Sequence, residues 1–325
     1  MQTVFVTGGS GFVGRNLIRA LRARGVTVRA LARSPTAQAA VRALGAEAVA
    51  ADLQSLQADA LRGCDTVFHV AAMVEEWGPR DAFWRANVTG TEALIAVARA
   101  AGVRRFLHVS TEAVLADGGP LRDVDESHPY PKHPLPRYAR TKQAAEQRVL
   151  AANSGNFQTV VIRPRLIWGG DDSSLLPKIA AAARAGKFMW IDGGRQQTST
   201  CHVDNVVHGA LLAAERGLPG SVYFLTDGAP QSTREFFIRL LHSAGAPVPA
   251  RSLPFRLVYA LATLCEWLWD GLRLPGQPPV SRMPVALFGN DIVVNDTRAQ
   301  RELGYQPTTS IAEGFAQMSS PPPAS

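Results

Sequence analysis

The chain has 325 residues, 46% of them hydrophobic, enough for a large core in one domain or two closely joined ones. Its formal net charge of +7 would suit a nucleic-acid partner, but the arginines are dispersed along helix faces and the charge reads as a solvated surface with no nucleic acid bound. Three scattered cysteines give no disulfide framework and point to a reducing, cytoplasmic setting, and no apolar run approaches the roughly 18 residues of a membrane span.

In chain order, Thr3-Val4-Phe5-Val6 is a β-branched and aromatic run that predicts a buried strand, with no signal peptide before it. The turn Thr7-Gly8-Gly9-Ser10-Gly11-Phe12-Val13-Gly14 follows at once. Residues 15–24 then read as a helix, with Leu17, Ile18 and Leu21 on one face and Arg15, Arg19, Arg22 and Arg24 on the other. Strand, glycine turn and helix form the context of a phosphate-binding loop. Glycines at 8, 11 and 14 let backbone approach a pyrophosphate and let the helix pack on the strand, while the free N–H groups of the helix start face the anion.

A second strand is expected at 26–32. Its end reads Ala32-Arg33-Ser34, with no carboxylate to bond a ribose 2′-hydroxyl. An arginine there suits a 2′-phosphate, so NADP(H) is expected over NAD(H); the alternative is a surface arginine in a loop. Further strands are expected at 46–50, 67–72, 105–110, 159–162 and 221–225. Asn87-Val88-Thr89-Gly90-Thr91 opens a helix carrying Leu94, Val97 and Ala98. This alternation predicts an α/β fold, a Rossmann-type doubly wound parallel sheet of about seven strands.

Tyr138 and Lys142 stand at i and i+4, so a helix puts them on one face. The ammonium is expected to pull the tyrosine pKa towards working pH, which would let Tyr138 exchange a proton with a carbonyl or alcohol oxygen while Lys142 reaches a ribose. His69 reads as a packed histidine and not a catalyst, and His128, His133, His202 and Asp204 read as structural residues, because no third metal ligand stands at suitable spacing.

Thr7 with Gly8-x-x-Gly11-x-x-Gly14 resembles the signature of the extended short-chain dehydrogenase/reductases, within the NAD-dependent epimerase/dehydratase superfamily. His69-Val70-Ala71-Ala72, the Asn87 segment, Arg163-Pro164 through Gly169, and His202-Val203-Asp204-Asn205-Val206 resemble later landmarks, so the resemblance covers most of the chain. It implies that Asp52 and Leu53 hold the adenine, that Ala71 and Ala72 flank the cofactor, and that Pro164 and Ile167 border the nicotinamide. Thr7, Gly8, Gly11, Phe12, Val13, Gly14, Arg33 and Lys142 complete the expected cofactor set. Counting back three residues from Val114 gives Thr111 as the third catalytic residue, with Ser110 the runner-up.

Within this superfamily, dehydratases carry an Asp-Glu pair where this chain has Glu112-Ala113, so half of their acid–base machinery is missing. The remainder resembles the 3β-hydroxysteroid dehydrogenase and dihydroflavonol-reductase-like branch. That branch implies a ketone/secondary-alcohol oxidoreductase in which the cofactor carries hydride. The alternatives are an NAD-dependent sugar-nucleotide epimerase or isomerase, and a non-catalytic cofactor sensor, although sensors typically lack the Tyr or Lys. Residues 1–168 and 201–229 are assigned to the dinucleotide-binding domain, 169–200 and 230–318 to a smaller C-terminal α/β substrate lobe, and 319–325 to a disordered tail.

The apolar stretch 253–274, with Trp267 and Trp269, fits a lid over an apolar substrate, a peripheral membrane contact through 253–272, or plain core, the last weighing as much as the other two together. With Trp77, Trp84, Trp168 and Trp190 it suggests a bulky apolar substrate such as a sterol, a long-chain keto acid or an aryl ketone. A homodimer through the helices at 87–101 and 138–152 is a further expectation from the family.

Overall fold

The computed structural model describes residues 1–319. Its central sheet contains β1 (Thr3–Thr7), β2 (Thr27–Leu31), β3 (Glu47–Val49), β4 (Thr66–His69), β5 (Arg105–Val109), β6 (Gln158–Pro164) and β7 (Ser221–Leu225). The order is β7-β6-β5-β4-β1-β2-β3, with every pairing parallel. The expected Rossmann sheet is therefore present. The direction of winding reverses between β1 and β4, and the turns after these two strands open the crevice where such sheets take ligands.

Two cores cover the two faces. Helix α1 (Phe12–Ala23) lays Leu17, Ile18 and Leu21 on one face, against Val206, Val207 and Ala210 of a helix at Val203–Arg216. Each such side chain contributes about 1.5–3 kcal/mol by leaving water. Helix α1 stops at Gly25, whose φ of +74° suits glycine. On the other face α3 (Gly90–Ala100) supplies Leu94, Ile95 and Ala98, and α4 (Tyr138–Ala151) supplies Val149; α2 (Pro35–Ala43) flanks β2 and β3. A π-turn over Arg85–Thr89 leads into α3 in place of the regular helix start expected at Asn87.

A separate aromatic core gathers Trp168, Trp190, Phe236, Phe237 and Phe315. Trp168 and Trp190 are thus packing residues, not the walls of an apolar substrate site. A four-stranded sheet of Gln231–Ser232, Gln197–Thr198, Ile292–Val294 and Leu121–Val124 ties this part to the region before α4. The helix Thr297–Leu303 lies in the stretch assigned to the substrate lobe, yet its Ala299 and Leu303, with Tyr305, pack in the core beside α1. Ser319 ends the last helix; the rest of the expected tail falls outside the described residues.

Helix α5 (Phe255–Leu272) departs most from expectation. Only Ala262, Cys265 and Glu266 are buried. Leu257, Leu261 and Leu264 recur at helical spacing and are about half exposed, and Trp267 is 69% exposed. The plain-core reading of 253–274 is therefore corrected: one face packs inward and the other presents apolar side chains to solvent. Among the described residues, no helix is long and apolar enough to cross a membrane.

Candidate active site

The glycine turn leaves β1 at Thr7, whose buried hydroxyl bonds His69 Nδ1 at 2.8 Å and accepts from Ala71 N–H. Gly8 has φ +70°, and a Cβ there would lie 2.8 Å from Ala71 N, so the loop and the end of β4 touch through backbone alone. A Cβ on Gly14 would lie within the van der Waals radius of the Gly8 carbonyl, which explains the close approach of α1 to β1. Gly11 caps α1 without a side chain, leaving the first N–H groups facing outward.

Beside this turn lies a cleft of about 770 Å³ lined by Gly8, Arg33, Asp52, Leu53, Ala71 and Ala72, among others. That volume suits a dinucleotide-sized ligand. Arg33 is exposed at the rim, next to Ser34, which caps α2 by accepting from Ala37 N–H. Asp52 turns one carboxylate oxygen onto the N–H groups of Gln54 and Ser55, which pulls its pKa down. Thr7, Gly11, Phe12, Val13, Gly14, Lys142, Pro164 and Ile167 do not form the cleft wall. Phe12 is buried, Val13 and Ile167 pack at the margin of the core, and Pro164 ends β6.

Tyr138 is the first residue of α4, held there by an unusual neighbour. Arg137 has φ +63°, stacks 3.3 Å from the Trp77 ring and donates to Gly78 O and Asp270 Oδ1. A strained non-glycine cap of this kind persists only where its surroundings hold it. Thr111 follows β5 and caps a short 3₁₀ turn. Its hydroxyl accepts from Ala113 N–H and donates to Glu112 Oε2 at 2.8 Å, and Ala113 of the same turn packs in one cluster with Tyr138.

Ser110 goes elsewhere. Its hydroxyl donates to Glu146, which also receives Tyr130 and the Arg163 guanidinium. Of the two hydroxyls considered for the third position, Ser110 is therefore committed to Glu146, and Thr111 caps the turn that packs against Tyr138.

Lys142 sits one turn beyond Tyr138 and is buried. Its Nζ donates to Val109 O at 2.7 Å and to His108 Nε2 at 3.2 Å. The third ammonium hydrogen remains available to a ribose hydroxyl. Burial pushes the lysine pKa down to about 8, against support from Glu146. Burial also lowers His69, to about 3, and its Nε2 bonds Thr91. This histidine is a packed, neutral link between strand ends, as expected.

The tyrosine departs from expectation. Its pKa is raised, first by burial and then by the Glu112 carboxylate, with the Thr111 hydroxyl opposing. The expected fall is thus reversed in the free protein, because the Lys142 ammonium is spent on the β5 backbone and His108 while a carboxylate faces the phenol.

Glu112 and Arg165 are the residues the sequence reading passed over. They form a buried ion pair at 2.9 Å, and Arg165 also donates to Leu287 O. The signal was present in Arg163-Pro164-Arg165: two arginines at the end of an apolar strand must be paired if buried. The other late landmarks are structural. Asp227 accepts from Trp168 Nε1, Thr200, His202 N–H and Asn205, and Asp204 lies 3.5 Å from His202 Nδ1.

Comparison with known proteins agrees with this geometry. Residues 5–255 match the 3-beta hydroxysteroid dehydrogenase/isomerase family. A 4-hydroxy-2-methyl-3-oxo-4-farnesyl-3,4-dihydroquinoline-1-oxide ketoreductase of Stigmatella aurantiaca is 49% identical, over 98% of this chain and 96% of that one. A 2-alkyl-3-oxoalkanoate reductase of Stenotrophomonas maltophilia (strain K279a) is 37% identical, over 97% and 98%. The solved structure of MoeE5 in complex with UDP-glucuronic acid and NAD aligns with a TM-score of 0.73 at 25% identity, covering 97% of each chain. With its seven-stranded sheet, glycine turn and a helix carrying Tyr138 and Lys142, the chain belongs to the 3-beta hydroxysteroid dehydrogenase/isomerase family of extended short-chain dehydrogenase/reductases, and is an NAD(P)-dependent ketone/alcohol oxidoreductase.

Proposed function

We propose that the protein reduces a ketone on a bulky apolar substrate to a secondary alcohol with NADPH, using Tyr138 as the acid, Thr111 to orient the reacting oxygen and Lys142 to hold the ribose. The observation that carries this reading is that Tyr138, one helical turn before the buried Lys142, packs against the turn that Thr111 caps, at the carboxyl edge of the sheet on which the glycine turn opens. A proton donor for a carbonyl oxygen must be neutral before the reaction, and the raised pKa of Tyr138 keeps it so.

The bound dinucleotide supplies the hydride. The residues fit it: Gly8, Gly11 and the start of α1 offer bare backbone N–H groups to a pyrophosphate, and Gly8 admits no Cβ against the Ala71 backbone. Asp52 and Leu53 line the adenine end, and Arg33 stands where a 2′-phosphate needs a cation. Ala71, Ala72, Pro164 and Ile167 complete the cofactor set in this reading. Residues 169–200 and 230–318, apart from the helix Thr297–Leu303 and Tyr305, supply most of the substrate lobe.

The ketoreductase likeness supports an apolar ketone. The outward face of α5 supports a peripheral membrane contact, since exposed Arg256 and Arg273 flank its apolar residues and suit anionic headgroups. The three free cysteines agree with a cytoplasmic location. The paired helices α3 and α4, joined by Arg148 and Glu92, offer a face for a homodimer.

The test is NADPH oxidation with the farnesylated 3-oxo-dihydroquinoline N-oxide, a 2-alkyl-3-oxoalkanoate, a 3-ketosteroid and a UDP-sugar. Turnover of an apolar ketone is expected. Turnover of the UDP-sugar alone would replace this reading with the epimerase one. Arg33→Ala should weaken use of NADPH about tenfold or more, the worth of one charge-assisted bond, and leave NADH unchanged. An unchanged preference would reject the NADP(H) assignment.

A further inference from the structure

The residue before Tyr138 breaks three local rules at once. Arg137 takes φ +63° and ψ −103° without being glycine, caps α4 with no side-chain hydrogen bond to the helix, and buries a guanidinium at a helix N-terminus, where the dipole disfavours a cation. Asp270 makes the complementary violation, a carboxylate in the last turn of α5, where the dipole disfavours an anion. Each charge is misplaced on its own helix, and their pairing offsets both: Arg137 Nη2 donates to Asp270 Oδ1 at 2.6 Å. Local rules that fail together in this way mark a place kept for function rather than for folding.

The pair reaches the tyrosine through the backbone and the first turn of α4. The Arg137 carbonyl accepts from Thr141 N–H and Thr141 Oγ1, both at 2.9 Å, and so closes the turn that begins with Tyr138. The Arg137 side chain is fixed on three sides, by Asp270, by the Gly78 carbonyl at 3.0 Å and by the Trp77 ring, whose centroid lies 3.3 Å from Cζ. Asp270 turns its second oxygen to Arg80 at 2.6 Å. Glu266, one turn earlier on α5, is spent on Arg282, so Asp270 is the carboxylate that α5 offers to the cap. Asn87 Nδ2 donates to Thr141 Oγ1 at 3.0 Å, which steadies the far side of the turn and leaves the cap to Arg137.

We propose that Asp270, acting through Arg137, is a positioning residue for Tyr138: the ion pair holds the strained entry to α4 and so sets where the tyrosine hydroxyl stands for proton donation. This deepens the proposed function and rests on Tyr138 being the acid. Asp270 touches neither substrate nor cofactor in this account. It fixes the backbone from which the acid projects, and relaxation of φ at Arg137 to a negative value would turn the Tyr138 side chain to a new direction. Proton donation is sensitive to such a change, because displacing a reacting group by about 1 Å can cost about a hundredfold in rate.

The experiment pairs Asp270→Asn with Arg137→Gly. The first keeps a hydrogen-bond acceptor and loses the charge; the second adopts the same backbone without strain and loses the anchor. In the cofactor-free protein, hydrogen–deuterium exchange of the Thr141 amide should quicken about tenfold or more in both, while amides of the later turns of α4 stay as in the parent. NADPH affinity, read from the fluorescence of the bound nucleotide, should stay unchanged. In turnover of the farnesylated 3-oxo-dihydroquinoline N-oxide with NADPH, kcat should fall about tenfold or more with little change in KM, and the solvent deuterium effect should grow because proton donation has become slower. Asp270→Glu should recover part of kcat. An unmoved kcat or an unmoved Thr141 amide in both variants would overturn the assignment of Asp270 while leaving Tyr138 as the acid. Loss of the fold in both, or a fall in NADPH affinity equal to the fall in kcat, would also overturn it, by marking the pair as general scaffold. Turnover that survives Tyr138→Phe would overturn the underlying reading instead.

Discussion

Two buried carboxylate–guanidinium pairs lie at the end of the same sheet, and they differ in what they hold. Glu146 and Arg163 gather Ser110 and Tyr130; Glu112 and Arg165 gather Thr111, whose turn packs against Tyr138. Ser110 and Thr111 are adjacent in sequence, and the alternation of an extended backbone sends their side chains to opposite sides. One pair is closed on itself, with every hydroxyl bound inward. The other ends at Thr111, on the turn that packs against Tyr138. The comparison teaches that a buried ion pair gains functional meaning from the group at its open end.

The comparison can be broken at several points. The largest effect is expected on stability: Glu146→Ala strands Arg163 and should cost about 3–5 kcal/mol, read from denaturant unfolding. A loss below about 1 kcal/mol would show that this pair is not the scaffold. Next, Thr111→Ala should lower kcat with NADPH about a hundredfold, the scale for loss of one organised hydroxyl at a developing charge, without comparable loss of stability. Ser110→Ala should do the reverse, costing about 1 kcal/mol of stability and changing kcat little. Equal kinetic losses at the two positions would erase the distinction.

A smaller effect concerns pH. The folded pKa of Lys142 lies near 8, against an ordinary 10.5, so the unfolded chain binds more protons between these values. Stability therefore gains from this lysine as pH rises from about 8 towards 10, before tyrosine ionisation in the unfolded chain reverses the trend. In the cofactor-free protein, Lys142→Met should flatten that rise. A rise that persists in the variant would place its origin elsewhere.

Much of the fold was legible from sequence because local and global signals agree in it. The β-branched runs at Thr3–Thr7 and Ser221–Leu225 became strands at the expected places, and the glycine spacing located the turn. Tyr138 and Lys142 were legible because helical spacing is a local property. What the Lys142 ammonium touches is not local, so the direction of the tyrosine pKa came out reversed. The pairing of Glu112 with Arg165 spans 53 residues and depends on two strand ends converging, which no spacing rule encodes. In α5, composition alone could not say which of two apolar faces is covered. Its inner face carries Cys265 and Glu266, while Leu257, Leu261 and Leu264 face outward.

The central claim, that the open pair serves the chemistry and the closed pair serves the fold, is tested most directly by two matched substitutions. Tyr138→Phe and Tyr130→Phe each delete one hydroxyl, and NADPH oxidation with the ketone found in the substrate panel is the readout. The account predicts a loss of about 10²–10⁴-fold in kcat for Tyr138→Phe, the range for removal of a general acid, and a change of only a few-fold for Tyr130→Phe. Turnover retained in Tyr138→Phe, or lost equally in both, would contradict it.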